Sequence, residues 1–302
     1  MCARRRLLWS QWLSSNDFPR PLPVCCFGGK HLAYSDVEHE ICSNIEWTDE
    51  TWNPVTGCSR VSPGCDNCYM YAIYPRLRGM GVPGYSRAPD VVTLMPERID
   101  APLHWSKHKR VFVNSMSDLF HRDVPFEFIL QVFESMRTAG AERGHIFQVL
   151  TKRPGLAVAW WQAYKDRFPE GWPSNVWLGT SVESQKYAPR VTVLARVPAP
   201  VRFVSAEPLL THVDLAPWID RGDVHWVIVG GESGPRARDM DVEWVRSLQQ
   251  QCERGGVPVF VKQMGSRWAK THCASDSKGG TMSDWPDDMR VRLYPTTTRN
   301  GN

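Results

Sequence analysis

From residue 111 onward, six short apolar, β-branched runs recur, at 111–114, 145–150, 176–179, 202–205, 226–229 and 257–262, and each ends in small or polar residues. Near-continuous apolar runs of this length suit strands buried on both faces of a parallel sheet. Parallel neighbours need long crossovers, and the stretches between the runs carry helical patterns. The clearest is 125–139, where Phe126, Ile129, Leu130, Phe133 and Met136 share one face, Pro125 suits the first turn and Gly140 the stop. Residues 242–252 form another, with Val245, Leu248 and Cys252 on one side and Gly255 and Gly256 ending it; 154–164 and 185–196 are weaker helical patterns. A first strand is expected within 45–54. Strand–helix alternation of this kind argues for repeated βαβ units and an α/β fold. With six or seven units, a full or partial (β/α) barrel of mainly parallel strands is favoured over an open doubly wound sheet. No repeat beyond that alternation is visible.

The chain of 302 residues suits one large α/β domain. Three regions are expected: an irregular leader over 1–43, a barrel domain over 44–267, and a Gly-, Ser- and Asp-rich tail over 268–302 that wraps the barrel edge as loop. The leader holds Pro19, Pro21, Pro23, Gly28 and Gly29 with no sustained period, and reads as peripheral to the fold or as upstream of the natural start. Arg4, Arg5 and Arg6 before Leu7, Leu8 and Trp9 imitate a signal peptide, but Ser10 and Gln11 break the apolar stretch and no cleavage site follows. No apolar run approaches a membrane span. The expectation is a cytoplasmic protein that does not enter a membrane. A net charge of +4 permits nucleic acid as a partner without requiring it.

Nine cysteines, an odd number, are scattered too thinly for a secreted disulfide scaffold. Three of them are close: Cys58, Cys65 and Cys68, spaced C-x6-C-x2-C in a segment whose Gly57, Pro63 and Gly64 let the loop fold back. Three thiolates can thereby converge on one centre. A structural zinc site needs four protein ligands and would require a distant histidine. A dithiol redox site would use Cys65 and Cys68 and leave Cys58 idle. A 4Fe–4S cluster held by three cysteines uses all of them and leaves one iron open for a ligand.

The segment resembles a phage and mobile-element family, the three-Cys-motif family of unknown function. The resemblance is carried by Ile45-Glu46-Trp47-Thr48, Trp52-Asn53-Pro54-Val55-Thr56-Gly57-Cys58, Ser62-Pro63-Gly64-Cys65-Asp66-Asn67-Cys68-Tyr69, Ser115-Met116-Ser117-Asp118-Leu119-Phe120, Leu150-Thr151-Lys152-Arg153-Pro154, Leu178-Gly179-Thr180-Ser181-Val182-Glu183, Ser205-Ala206-Glu207-Pro208-Leu209 and Val229-Gly230-Gly231-Glu232-Ser233-Gly234. With Trp285-Pro286 and Arg290-Val291-Arg292 it spans about residues 44–295. That family is similar to radical S-adenosylmethionine (SAM) enzymes, but the usual spacing there is C-x3-C-x2-C, and the first gap here is six. The resemblance implies a barrel of the radical SAM type. It also implies a cluster on Cys58, Cys65 and Cys68, SAM bound at the open iron, and reductive cleavage to a 5′-deoxyadenosyl radical. The phage setting implies a nucleotide or modified DNA base as substrate, and a companion protein encoded nearby. The rival reading is a zinc- or cluster-stabilised nucleic-acid-binding protein without catalysis.

Five successive strands end in polar groups, at the face where (β/α) barrels carry their active sites. Asn114, Ser115, Ser117 and Asp118 follow the first of them; then come Lys152 and Arg153, then Thr180, Ser181 and Glu183, then Glu207, and finally Gly230, Gly231 and Glu232. Their chemistry suits the groups of SAM. Asp118 or Glu232 would take the ammonium, Lys152 or Arg153 the carboxylate, and Glu183 or Glu207 the ribose hydroxyls. Gly230 and Gly231 would let the backbone approach a ligand. Trp160, Trp161 and Trp226 are expected in the core, whereas an exposed Trp172 would be free to stack on a base. His104, His108 and His121 read as surface or hydrogen-bonding residues, and Cys252 as a buried hydrophobe.

Overall fold

The computed structural model describes residues 45–296; the leader, with Cys2, Cys25, Cys26 and Cys42, lies outside the described residues. The chain opens with β1 (Glu50–Trp52) and β2 (Val55–Thr56), passes through the cysteine loop, and enters α1 (Tyr69–Gly79). β3 (Thr93–Leu94) pairs antiparallel with β2 as a small separate ribbon. Then strands and helices alternate: β4 (Arg110–Val113), α2 (Phe126–Arg143), β5 (Ile146–Thr151), α3 (Pro154–Tyr164), β6 (Val176–Ser181), α4 (Arg190–Leu194), β7 (Arg202–Ala206), α5 (Ala216–Ile219), β8 (Trp226–Gly230), α6 (Val242–Arg254), β9 (Val259–Gln263) and α7 (Ser266–Thr271).

The main sheet has seven strands in the order β1-β4-β5-β6-β7-β8-β9, every pair parallel. It curls into a half-barrel with helices outside, so the expected α/β partial barrel is the fold found.

Alternation along each strand divides the core. Val111 and Val113 of β4 face α2 and α3, joining Ile129, Phe133 and Trp160. Phe112, between them, faces inward with Trp177, Phe203, Trp226 and Phe260, and Trp47 closes this inner layer. Trp177, Phe203, Trp226 and Phe260 stand near the N-terminal ends of their strands. They fill the lower half of the half-barrel, each contributing about 1.5–3 kcal/mol by leaving water. The C-terminal ends above them are free to carry polar groups. A second outer cluster, with Val204, Val227, Leu248 and Cys252, packs α6 onto β7–β9.

Four expectations need correction. Helix α2 does not stop at Gly140 but continues to Arg143, and Gly144 at φ 73° ends it. The pattern over 185–196 is a single 3-10 turn, Gln185–Tyr187, followed by the short α4. Trp172 is not exposed: it packs edge-on against Phe133 and donates its indole N–H to the Val176 carbonyl, so it has no face for a base. The tail is more than an edge loop. Met282–Asp284 and Asp287–Met289 form 3-10 turns, and the Val291 carbonyl accepts from Val261 N–H at 2.9 Å, which covers the outer edge of β9. Trp160, Trp161, Trp226 and Cys252 are buried as expected. No described helix is long and apolar enough to cross a membrane.

Candidate active site

The strand C-termini and the cysteine loop enclose a cavity of about 500 Å³, within the range of small-molecule sites. Its outer wall is the loop between β2 and α1. Gly57 starts that loop at φ 79°, and a Cβ there would stand 2.2 Å from the Val91 carbonyl oxygen, so only glycine fits. The loop then turns at Pro63–Cys65, and Cys68 becomes the N-cap of α1. Cys58, Cys65 and Cys68 all line the cavity, and none is in a disulfide.

Cys65 is buried, and Cys58 and Cys68 are half-buried. Met70, Tyr74, Tyr85 and Met116 form an apolar cluster against Cys58 and Cys68. Burial pushes the Cys58 thiol up to about 11; Asp118 adds to the rise, and Arg153 opposes it from 3.7 Å. Burial raises Cys68 as well, against the backbone N–H groups of Met70 and Tyr71 at the start of α1, which favour its thiolate. Bare, Cys58 and Cys68 hold their protons near neutrality; a metal would displace them.

Arg153 straps the loop to the sheet. Its guanidinium donates to the Asp118 carboxylate at 2.8 Å, and to the Ser59 carbonyl and hydroxyl at 2.9 and 3.0 Å. Asp118 also accepts from the Thr151 hydroxyl at 2.8 Å and from Lys152 N–H at 3.1 Å. Ser59 is held in turn by His121 Nε2 at 2.7 Å. Burial drives His121 down, helped by Arg153, so the ring is neutral at this contact. His104 is exposed and His108 bonds the Gly144 carbonyl, so these histidines have the hydrogen-bonding and surface roles expected of them.

On the far wall, Glu232 bonds Asn67 of the cysteine loop at 3.0 Å and pairs with Arg238. Burial would raise its pKa, but Arg238 and Asn67 outweigh that and hold it below the usual range. Glu207 pairs with Lys262 at 2.6 Å. Lys152 reaches the Ser181 hydroxyl at 3.1 Å and has no carboxylate partner among the described residues.

Ten of the thirteen strand-end residues singled out in the sequence line this cavity: Asn114, Ser115, Ser117, Asp118, Lys152, Arg153, Ser181, Glu207, Gly231 and Glu232. Thr180, Glu183 and Gly230 do not. Thr180 donates back to the Thr151 carbonyl. Glu183 is fully buried, pairs with Arg190 at 2.9 Å and lies under the loop at Gly64, where a Cβ would be 3.2 Å from its carboxyl carbon. The room at Gly231 is taken by the Met264 carbonyl rather than held open for a ligand.

Sequence reasoning passed over Asn53, Asn67, Lys262 and Gln263. Asn53 accepts from Met116 N–H at 2.9 Å, which ties the β1 end to the 114–118 turn. Asn67 was legible only as the middle of the C-x2-C spacing. Lys262 reads as the end of an apolar run, and Gln263 lies one residue beyond it. Tyr69 donates its hydroxyl to the Ser115 carbonyl and so bridges α1 to the same turn.

The chain belongs to the family described as protein of unknown function (DUF5131), whose pattern it matches over residues 42–289. No curated protein and no solved structure matches it.

Proposed function

We propose that this is a radical SAM-type iron–sulfur enzyme that holds a 4Fe–4S cluster on Cys58, Cys65 and Cys68 and acts on a nucleotide or modified DNA base. One observation carries the reading: three thiols of one loop, spaced C-x6-C-x2-C, face one cavity opposite the polar C-terminal ends of a parallel half-barrel. Among the described residues, no three His, Cys, Asp or Glu side chains gather closely enough to hold a single ion. Cluster irons take one thiolate each and make no such demand. The donor set fits in charge as well, because Arg153 and the first N–H groups of α1 face the thiols and would offset an anionic cluster.

When bound, a cluster with one iron free of protein ligands supplies the electron that cleaves the SAM sulfonium. The protein's part is binding and orientation. Lys152, already turned into the cavity by Ser181, is placed to meet the methionyl carboxylate. Arg153 is engaged with Asp118 and Ser59, so its part is to hold the loop in register. Glu207 is the remaining carboxylate for ribose hydroxyls, since Glu183 lies behind the wall. The inner aromatic layer seals the floor and excludes bulk water. The substrate class and a companion protein rest on the resemblance of the chain's motifs to the phage three-Cys-motif family.

The test is anaerobic purification and reconstitution, with iron, sulfide and zinc measured per chain for the parent and for the Cys58→Ala, Cys65→Ala, Cys68→Ala triple variant. About four irons and four sulfides, lost in the variant, are expected, together with reductive formation of 5′-deoxyadenosine from SAM. One zinc without sulfide would end this reading in favour of a zinc-stabilised binding protein.

A further inference from the structure

A second concavity, larger and more open than the first, runs along the outside of the cysteine loop between α1 and the start of α7, with about 1220 Å³ of space. It shares Asn67, Cys68, Tyr69, Tyr71, Ser233 and Lys278 with the inner cavity, so the two adjoin along these residues. Among the described residues, its walls carry five cationic side chains against two carboxylates. Both carboxylates are already satisfied. Asp66 faces Arg238 at 3.5 Å, and Asp276 accepts from the backbone N–H groups of Lys278, Gly280 and Thr281. Of these cations, Arg267 pairs with Asp239. Arg60, Arg236, Lys270 and Lys278 are exposed and have no carboxylate partner among the described residues. Arg60 also lies 4.2 Å over the ring of Tyr71, which makes a flat cationic face at the junction with the inner cavity.

Resting on the nucleotide-directed reading above, we infer that this groove binds the phosphate backbone of a single nucleic-acid strand and delivers one base through the junction into the cavity. Uncompensated cations along an open groove, with aromatic rings among them, are the elements that hold a strand without reading its sequence. Chemistry on a base requires that base outside its stack, and a flexible strand can turn one nucleoside inward while its phosphates stay in the groove. A folded acidic protein could match the charge, but it could not follow the groove into a cavity of about 500 Å³.

The experiment is fluorescence anisotropy of the full chain with a labelled single-stranded oligonucleotide over a series of salt concentrations. The parent is compared with Arg236→Ala/Lys270→Ala and with Arg137→Ala/Arg196→Ala, which removes the same charge from exposed positions elsewhere. The slope of log K against log salt should become shallower by about 1.4 in the groove variant, about 0.7 for each cation lost. The control should keep the parent slope. Absence of binding, equal slopes in all three proteins, or displacement of the oligonucleotide by poly-glutamate at equal charge would overturn the inference. The assay does not need the cluster. Iron and sulfide without oligonucleotide binding would defeat this inference and leave the cluster standing, and binding by a chain that takes up no iron would do the reverse.

Discussion

Asp118 makes no hydrogen bond to the thiols, yet it organises the loop that carries them. Its carboxylate meets Arg153, Thr151 and two backbone N–H groups, and the Asp118 and Arg153 side chains are only 7% and 11% exposed. Breaking a buried pair leaves the surviving charge unmatched, which costs about 3 kcal/mol. Asp118→Asn preserves the shape and removes the charge. It should lower the unfolding free energy of the cluster-free chain by about that amount, read from urea unfolding, and should reduce iron uptake because Ser59 and Cys58 lose their strap. A variant as stable as the parent would show that the pair merely decorates the loop. This residue also marks the limit of what a sequence reveals. The strand-end polar groups were legible as a set because they follow apolar runs. Who pairs with whom was not: Arg153 looked like a carboxylate binder, but the only partners that could decide the matter, Asp118 and Ser59, lie 35 and 94 residues away.

At the scale of the element, the periodicity of α2 was readable and its end was not. Gly140 has the residue type of a helix stop, but its role lies across the packing interface. A Cβ there would stand 2.1 Å from the Asn175 carboxamide, which donates to the Met136 and His145 carbonyls at 2.8 and 3.1 Å and pins the α2 end to the chain entering β6. Gly140→Ala gains about 1 kcal/mol of helix propensity but displaces that carboxamide and leaves buried carbonyls unmet, at about 1–3 kcal/mol each. A net loss of about 1–2 kcal/mol is expected on balance. Gly155, in the first turn of α3, has nothing within 4 Å of where its Cβ would be. Gly155→Ala should therefore stabilise, by about 0.5 kcal/mol. Parallel thermal melts of the two variants must move in opposite directions, and shifts of the same sign would mean that propensity rather than packing decides at Gly140.

Across the whole molecule, a parallel α/β sheet was legible because six buried strands leave six apolar runs. What closes the open side was not, because the tail is polar in sequence and acts through a few contacts of long range. Arg292 donates to the Val261 and Lys262 carbonyls, and the loop of 275–281 docks on the end of β9 through Met264 N–H to the Gly279 carbonyl at 2.8 Å and Gly265 N–H to the Lys278 carbonyl at 2.9 Å. Asp276 holds that loop in shape. Burial would raise its pKa, but N–H groups of Gly280, Lys278 and Thr281 and the Thr281 side chain outweigh it and bring the carboxyl down to about 2 from 3.8. Because the folded value is the lower one, folding favours the ionised form. That stabilisation is complete above the unfolded value and fades as pH falls through the folded one. The Asp276→Asn chain, which cannot ionise, should be less stable than the parent by a constant amount above about pH 4. The gap should narrow as the pH drops below 3.8, be mostly gone near 2, where the folded carboxyl is half protonated, and close below that. Urea midpoints of the two proteins across that range test this, and a gap that persists unchanged to pH 2 would mean that the carboxamide fails through geometry rather than charge.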